Sequence, residues 1–156
     1  MRKYILENKL KLVIENEALN GMYKFNPINY KHENGGVLLG KFNKNENTYI
    51  ITNISTTNSK DKKGKNFFIR NRKQAQIVID NYWKISNGEI NYLGEWHTHT
   101  EQYPNPSFVD KQLVKQMLKN KNKEIDNVFM IILGNNENLY ICTIDNNKKI
   151  YELKEE

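Results

Sequence analysis

The chain has 156 residues, 38% of them hydrophobic and 27% charged, with 24 Lys+Arg against 18 Asp+Glu for a formal net charge of +6. That length suits one domain with a buried core and is too short for a (β/α)₈ hydrolase, which takes about 250 residues. The basic residues read as scattered and no nucleic-acid motif is present, so the charge implies a solvated surface first and an acidic protein partner second.

Residues 1–6 offer only Tyr4-Ile5-Leu6 before Glu7, so no secretory leader is expected. The longest apolar run, Val128–Leu133, falls far short of the ~20 residues that cross a bilayer. One cysteine, Cys142, excludes an internal disulfide framework. A cytoplasmic location, with neither membrane nor nucleic acid as partner, is the expectation.

Leu10–Ile14 alternates in hydrophobicity and predicts a strand. Asn16 suits the N-cap of a short helix carrying Ala18, Leu19, Met22 and Tyr23 on one side, and Asn26-Pro27 stops it. Tyr30-Lys31-His32-Glu33-Asn34 then runs into the Gly35-Gly36 pair and an apolar strand to about Phe42. The glycines let the backbone turn tightly or approach another group closely. His32 reads as a surface residue. A further strand is expected over 47–56. Residues 57–66 are polar and lysine-rich, a mobile solvated loop or else a flap that orders over an extended substrate tail. Phe67-Phe68-Ile69 returns to strand, and 70–83 predicts a helix with Ala75, Val78, Ile79 and Tyr82 inward, closed by Ser86-Asn87-Gly88.

Ile90-Asn91-Tyr92-Leu93 leads a strand into Gly94-Glu95-Trp96-His97-Thr98-His99. Side chains at i and i+2 leave a strand on the same face, so His97 and His99 project together, with Glu95 beside them by parity. After a turn-rich link, Val109, Leu113, Val114, Met117 and Leu118 recur at helical spacing. Asp110 therefore sits in the first turn of a helix returning toward the histidine strand. Ser107-x-x-Asp110 also reads as a capping box, a role compatible with facing a site. Two imidazoles and one carboxylate leave a fourth tetrahedral position to water, the pattern of a catalytic rather than a structural zinc.

Val128–Leu133 is apolar throughout, as in a central strand covered on both faces. Leu139–Ile144 and residues 150–153 follow as strands, with Cys142 as a core residue rather than a nucleophile. The sum is a mixed sheet with about three helices.

His97-x-His99, then seven residues, then Ser107-x-x-Asp110 is the spacing of the JAMM motif, and the chain resembles the JAB/MPN zinc metallopeptidases over nearly its whole length. In that family the catalytic glutamate precedes a glycine-rich apolar strand, and Glu33 matches that position. The resemblance implies one JAB/MPN domain over 1–156, with a three-layer, cytidine-deaminase-like α/β fold. It implies one Zn²⁺ per chain on His97, His99 and Asp110, with Glu33 as acid–base group and Ser107 donating to the oxyanion. Glu95 is left a supporting role, either structural or orienting an imidazole. Thr100 departs from the proline that many relatives place after the second histidine. The Gly-Glu-Trp-His-Thr-His context looks most like the bacterial stand-alone isopeptidases encoded beside cGAS-like nucleotidyltransferases (CD-NTases) in CBASS anti-phage operons. The implied reaction is hydrolysis of the bond between the C-terminus of a ubiquitin-like conjugated protein, here a CD-NTase, and its target. A peptidase for another ubiquitin-like or sulfur-carrier protein and a non-catalytic MPN-like binding module are the alternatives. A zinc nucleobase deaminase shares the layout but needs a Pro-Cys-x-x-Cys pattern that one cysteine cannot supply.

Overall fold

A computed structural model describes residues 1–7 and 9–156. Strands β1 (Arg2–Leu6) and β2 (Leu10–Ile14) form a hairpin and lead into helix α1 (Asn16–Tyr23). Strand β3 (Gly35–Asn43) pairs with β4 (Thr48–Ile54), and a short hairpin of β5 (Lys62–Gly64) and β6 (Phe67–Ile69) precedes helix α2 (Arg72–Ile85). Then come β7 (Asn91–Thr98), helix α3 (Phe108–Met117), β8 (Val128–Leu133), β9 (Leu139–Ile144), β10 (Ile150–Glu152) and β11 (Lys154–Glu155). Nine strands make one sheet in the order β10-β9-β8-β7-β3-β4-β2-β1-β11. The β7–β8 and β2–β4 pairs are parallel and the other pairs antiparallel. The parallel β7–β8 step needs a crossover, and α3 supplies it.

The sheet is covered on both faces, giving the expected three layers. On one side Ala18, Leu19 and Met22 of α1 pack with Leu12, Leu38, Trp96, Phe129 and Ile131. On the other, Ala75 of α2 and Val114 and Met117 of α3 pack with Val37, Leu39, Met130 and Ile132. All six residues of β8 are buried because the strand is sandwiched between these layers. Each such side chain contributes about 1.5–3 kcal/mol of burial.

Several sequence expectations shift here. Glu15, not Asn16, is the N-cap of α1, and it makes no side-chain capping bond. The glycine pair lies inside β3 rather than in a turn, and α2 starts at Arg72 behind an Asn71 cap. Residues 62–64, placed in a mobile loop by their composition, pair with Phe67–Ile69 as a separate two-stranded ribbon. Phe67–Ile69 is the strand expected, whereas Lys62-Lys63-Gly64 carries no hydrophobic pattern from which its partner could be read. Val109 is exposed at the mouth of α3 instead of buried. The strands β1 and β11 were not anticipated.

A bulge in β7 sets the side-chain parity of everything that follows. Leu38 pairs with Gly94 and Leu39 with Tyr92, so Leu93 is the extra residue, and Gly94 takes a φ of +131°. Leu93 and Trp96 consequently share one core, while Tyr92 and Glu95, also three apart, meet on the opposite face. There the Glu95 carboxylate accepts from Arg70 Nε at 2.8 Å and from the Tyr92 hydroxyl at 2.7 Å. Burial and the adjacent Glu95 charge push the Tyr92 phenol well above its usual pKa.

Gly94→Ala would set a Cβ 1.8 Å from the Phe129 carbonyl oxygen in a backbone conformation that favours glycine. It is expected to cost about 3 kcal/mol or more in a urea unfolding titration. Glu95→Ala strands a half-buried guanidinium and a buried phenol, and a loss of about 2–3 kcal/mol is expected in the same assay.

Candidate metal and catalytic site

The C-terminal end of β7 and the N-terminal turn of α3 face each other, and the segment before β3 closes the third side. Glu33 is held by its backbone: its N–H donates to the Gly64 carbonyl of β5 at 2.8 Å. Asn34 is zipped to Thr98, its N–H donating to Thr98 Oγ1 and its carbonyl accepting from Thr98 N, both at 2.9 Å. A Cβ on Gly35 would lie 2.4 Å from the Trp96 carbonyl and 2.8 Å from the Phe68 ring, so glycine is what lets β3, β7 and the ribbon converge beside Glu33.

His97 is buried on β7, and His99 follows just past its end, anchored by its N–H to the Leu133 carbonyl at 3.0 Å. Asp110 arrives from α3 through a complete capping box. Ser107 Oγ accepts from Asp110 N at 3.1 Å, and Asp110 Oδ2 accepts from Ser107 N at 2.8 Å. Ser107 itself is exposed, and its hydroxyl proton is not used by the cap.

The donor atoms converge. His97 Nε2 and His99 Nε2 are 3.2 Å apart; Asp110 Oδ1 is 2.9 Å from the first and Oδ2 3.2 Å from the second. Ligands 2.0–2.1 Å from a tetrahedral zinc stand about 3.3 Å apart, so the two Nε2 atoms and the Asp110 carboxylate have the spacing such an ion needs. Glu33 Oε1 is more distant, 3.8 Å from His99 Nε2. Glu33, His97 and His99 also form a triple whose ligand atoms lie within 4.8 Å of one another.

The electrostatics follow the geometry. Burial raises the Glu33 pKa, and the two imidazoles oppose that rise. For Asp110 burial again acts upward, but the hydrogen bonds to both imidazoles hold it well below the usual carboxylate range. Burial would lower His99, yet Asp110, Glu101 and Glu33 lift it to about 9.

Glu101 is the functional neighbour that sequence reasoning missed. Its Oε1 lies 3.1 Å from His99 Nδ1 and accepts from Asn105 N at 3.0 Å, which leaves Nε2 as the nitrogen turned toward the cluster. Of the two supporting roles open to Glu95 the contacts match the structural one: it bonds Arg70 and Tyr92 and no imidazole, while Glu101 contacts the His99 ring. Glu101 sits in an aperiodic turn, where parity gives no signal beyond its spacing of two from His99. His32 is half-buried with Nδ1 3.2 Å from the Glu33 carbonyl and stays out of the cluster. Cys142 is buried in the core, and burial pushes its thiol up to about 12, as befits a packing residue.

Residues 16–145, a span that includes Glu33, His97, His99, Ser107 and Asp110, match the family described as prokaryotic homologs of the JAB domain. A CD-NTase/cGAS isopeptidase of Escherichia coli (strain TW11681) is 34% identical over 100 residues, 64% of this chain and 63% of that protein. The "Probable metalloprotease y4qB" of Sinorhizobium fredii (strain NBRC 101917 / NGR234) is 28% identical over 108 residues, 68% of this chain and 65% of that protein. The aligned stretch therefore spans just under two thirds of each relative. A protein of Desulfitobacterium hafniense solved in solution superposes with a TM-score of 0.62 at 15% identity, covering 93% of this chain and 89% of that one. That likeness concerns the fold. With most of its length matched, the chain belongs to the prokaryotic JAB-domain family.

Proposed function

We propose that residues 1–156 form one JAB domain acting as a zinc-dependent isopeptidase on a protein conjugate. The observation that carries this reading is the convergence of His97 Nε2, His99 Nε2 and Asp110 at 2.9–3.2 Å, with Glu33 just outside. On this reading His97, His99 and Asp110 hold one zinc ion, which when bound supplies Lewis acidity at the scissile carbonyl and acidifies water. Glu33, its pKa raised by burial, takes a proton from the attacking water and returns it to the departing amine nitrogen. The free Ser107 hydroxyl donates to the oxygen that gains charge. Glu101 positions the His99 ring through Nδ1.

The relatives' names support an isopeptidase whose substrate is a CD-NTase conjugate; on that reading we infer a cytoplasmic role in anti-phage (CBASS) defence. On this reading the ribbon of β5 and β6, bonded to Glu33 through Gly64, covers an extended C-terminal tail. Among the described residues no helix is long and apolar enough to cross a membrane.

Elemental analysis of protein purified without chelator is expected to give about one zinc per chain. Glu33→Ala should keep that zinc and lose about 10²- to 10⁴-fold in cleavage of a Gly-Gly-lysine isopeptide; full turnover in this variant would remove Glu33 from the acid–base role. Glu101→Ala should weaken zinc about 10- to 100-fold in a competition titration against a chromogenic chelator. A protein that binds no zinc and cleaves nothing would instead be a non-catalytic binding module.

A further inference from the structure

Residues 60–73 hold seven of the chain's 24 Lys+Arg and one of its 18 Asp+Glu, which leaves 17 of each sign elsewhere. The formal charge of +6 therefore belongs to this one stretch, and the basic residues are not scattered as the composition suggested. Arg70 is taken up by Glu95, and Asp61 by the backbone N–H groups of Asn58 and Asn71. Lys60, Lys62, Lys63, Lys65, Arg72 and Lys73 are all exposed, and among the described residues none lies within 4.0 Å of a carboxylate oxygen.

The stretch is adjacent to the site. Gly64 accepts from Glu33 N, and the Phe68 ring packs over Gly35, so the Lys63–Phe68 side of the ribbon meets the sheet. On the opposite side lie Lys62 with Ile69 and Gly64 with Phe67; Phe67 and Ile69 are 47% and 58% exposed. Six neighbouring like charges repel one another, and a counter-charge brought by another molecule relieves that repulsion.

We propose that this face binds an acidic segment of the protein substrate flanking the scissile bond, an inference that rests on the isopeptidase reading of the adjacent site. Lys62 and its neighbours meet the carboxylates, while Phe67 and Ile69 cover apolar side chains interspersed among them. A peptide suits the face better than a nucleic acid: one exposed aromatic ring gives no platform for successive stacked bases.

The test uses two fluorescent peptides ending in Leu-Gly-Gly, one with about six Asp/Glu upstream and one with Ser/Gln in their place. Each is also prepared with its C-terminus joined to a lysine Nε, and a single-stranded oligonucleotide serves as the third probe. Binding is read by anisotropy and cleavage by chromatography. The acidic peptide should bind about tenfold tighter than the neutral one at about 50 mM NaCl, with the advantage largely gone at about 300 mM. Lys62→Glu/Lys63→Glu/Lys65→Glu should abolish the preference. Lys119→Glu/Lys121→Glu/Lys123→Glu, the same charge change beyond the C-terminal end of α3, should keep it. Equal binding of both peptides, equal loss in both triple variants, or tighter binding of the oligonucleotide would overturn the proposal. Acid-selective binding without cleavage of either conjugate supports the basic face while sinking the isopeptidase reading. Cleavage of both conjugates at equal KM does the reverse.

Discussion

One carboxylate ties the fold to the chemistry. Asp110 Oδ2 accepts the Ser107 N–H that the first turn of α3 would otherwise leave unpaired, and the same group reaches both imidazoles. A helix N-terminus favours negative charge there, and its free N–H groups fix the carboxylate in one rotamer. The capping box and the carboxylate–imidazole cluster are therefore a single structure. The short link of residues 100–106 can be irregular because α3 is held at its start by Asp110 and along its length by Val114 and Met117 in the core.

Beneath the site the framework is rigid for a separable reason. Every residue of β8 is buried, and β7 lies between it and β3, so the histidine strand is hydrogen-bonded on both edges. Trp96 turns away from His97 into the opposite core and donates Nε1–H to the Ser55 carbonyl. The imidazoles thus ride on a strand with little freedom to rotate. The Glu95–Arg70–Tyr92 group locks the start of α2 to the same strand without touching the cluster. Catalytic groups placed on such elements keep their geometry better than groups on loops. Glu33 is the exception, since its position depends on backbone bonds to Gly64 and, through Asn34, to Thr98. The element it leans on is the small ribbon, none of whose strand residues is buried, and it belongs at the low end of local stability.

Much of this was legible in the sequence because it rests on short-range rules. Strand parity paired His97 with His99, helical spacing put Asp110 in a first turn, and Val128–Leu133 could only be a covered strand. Glu33 was reached through resemblance, since an acid before a glycine pair carries no local signal of its own. What stayed hidden depends on long-range contacts. Strand β1 pairs with a segment 150 positions away, Tyr4 opposite Glu155, and neither strand is hydrophobic enough to declare itself. The fate of Glu95 turned on Arg70, 25 residues earlier, and on a bulge at Gly94 that no pattern announces. Val109 satisfied the helical period but sits where α3 meets solvent rather than the sheet.

The distribution of charge follows the same division of labour. Glu33, Asp110 and Glu101 gather around two imidazoles and leave the site acidic, a field that attracts a divalent cation and repels an acidic chain. An acidic substrate segment would be turned away from that centre unless a surface beside it carried the opposite sign. Residues 60–73 carry it, beside the hydrogen bond that joins the backbone of the ribbon to the backbone of Glu33. On the proposed reading, opposite potentials side by side would let one face hold the substrate while the other receives only the uncharged scissile amide. Because exposed charges are screened beyond about 8–10 Å at ordinary ionic strength, such a division works only if the two faces adjoin. The hydrogen bond from Glu33 N to Gly64 O is the contact that makes them do so.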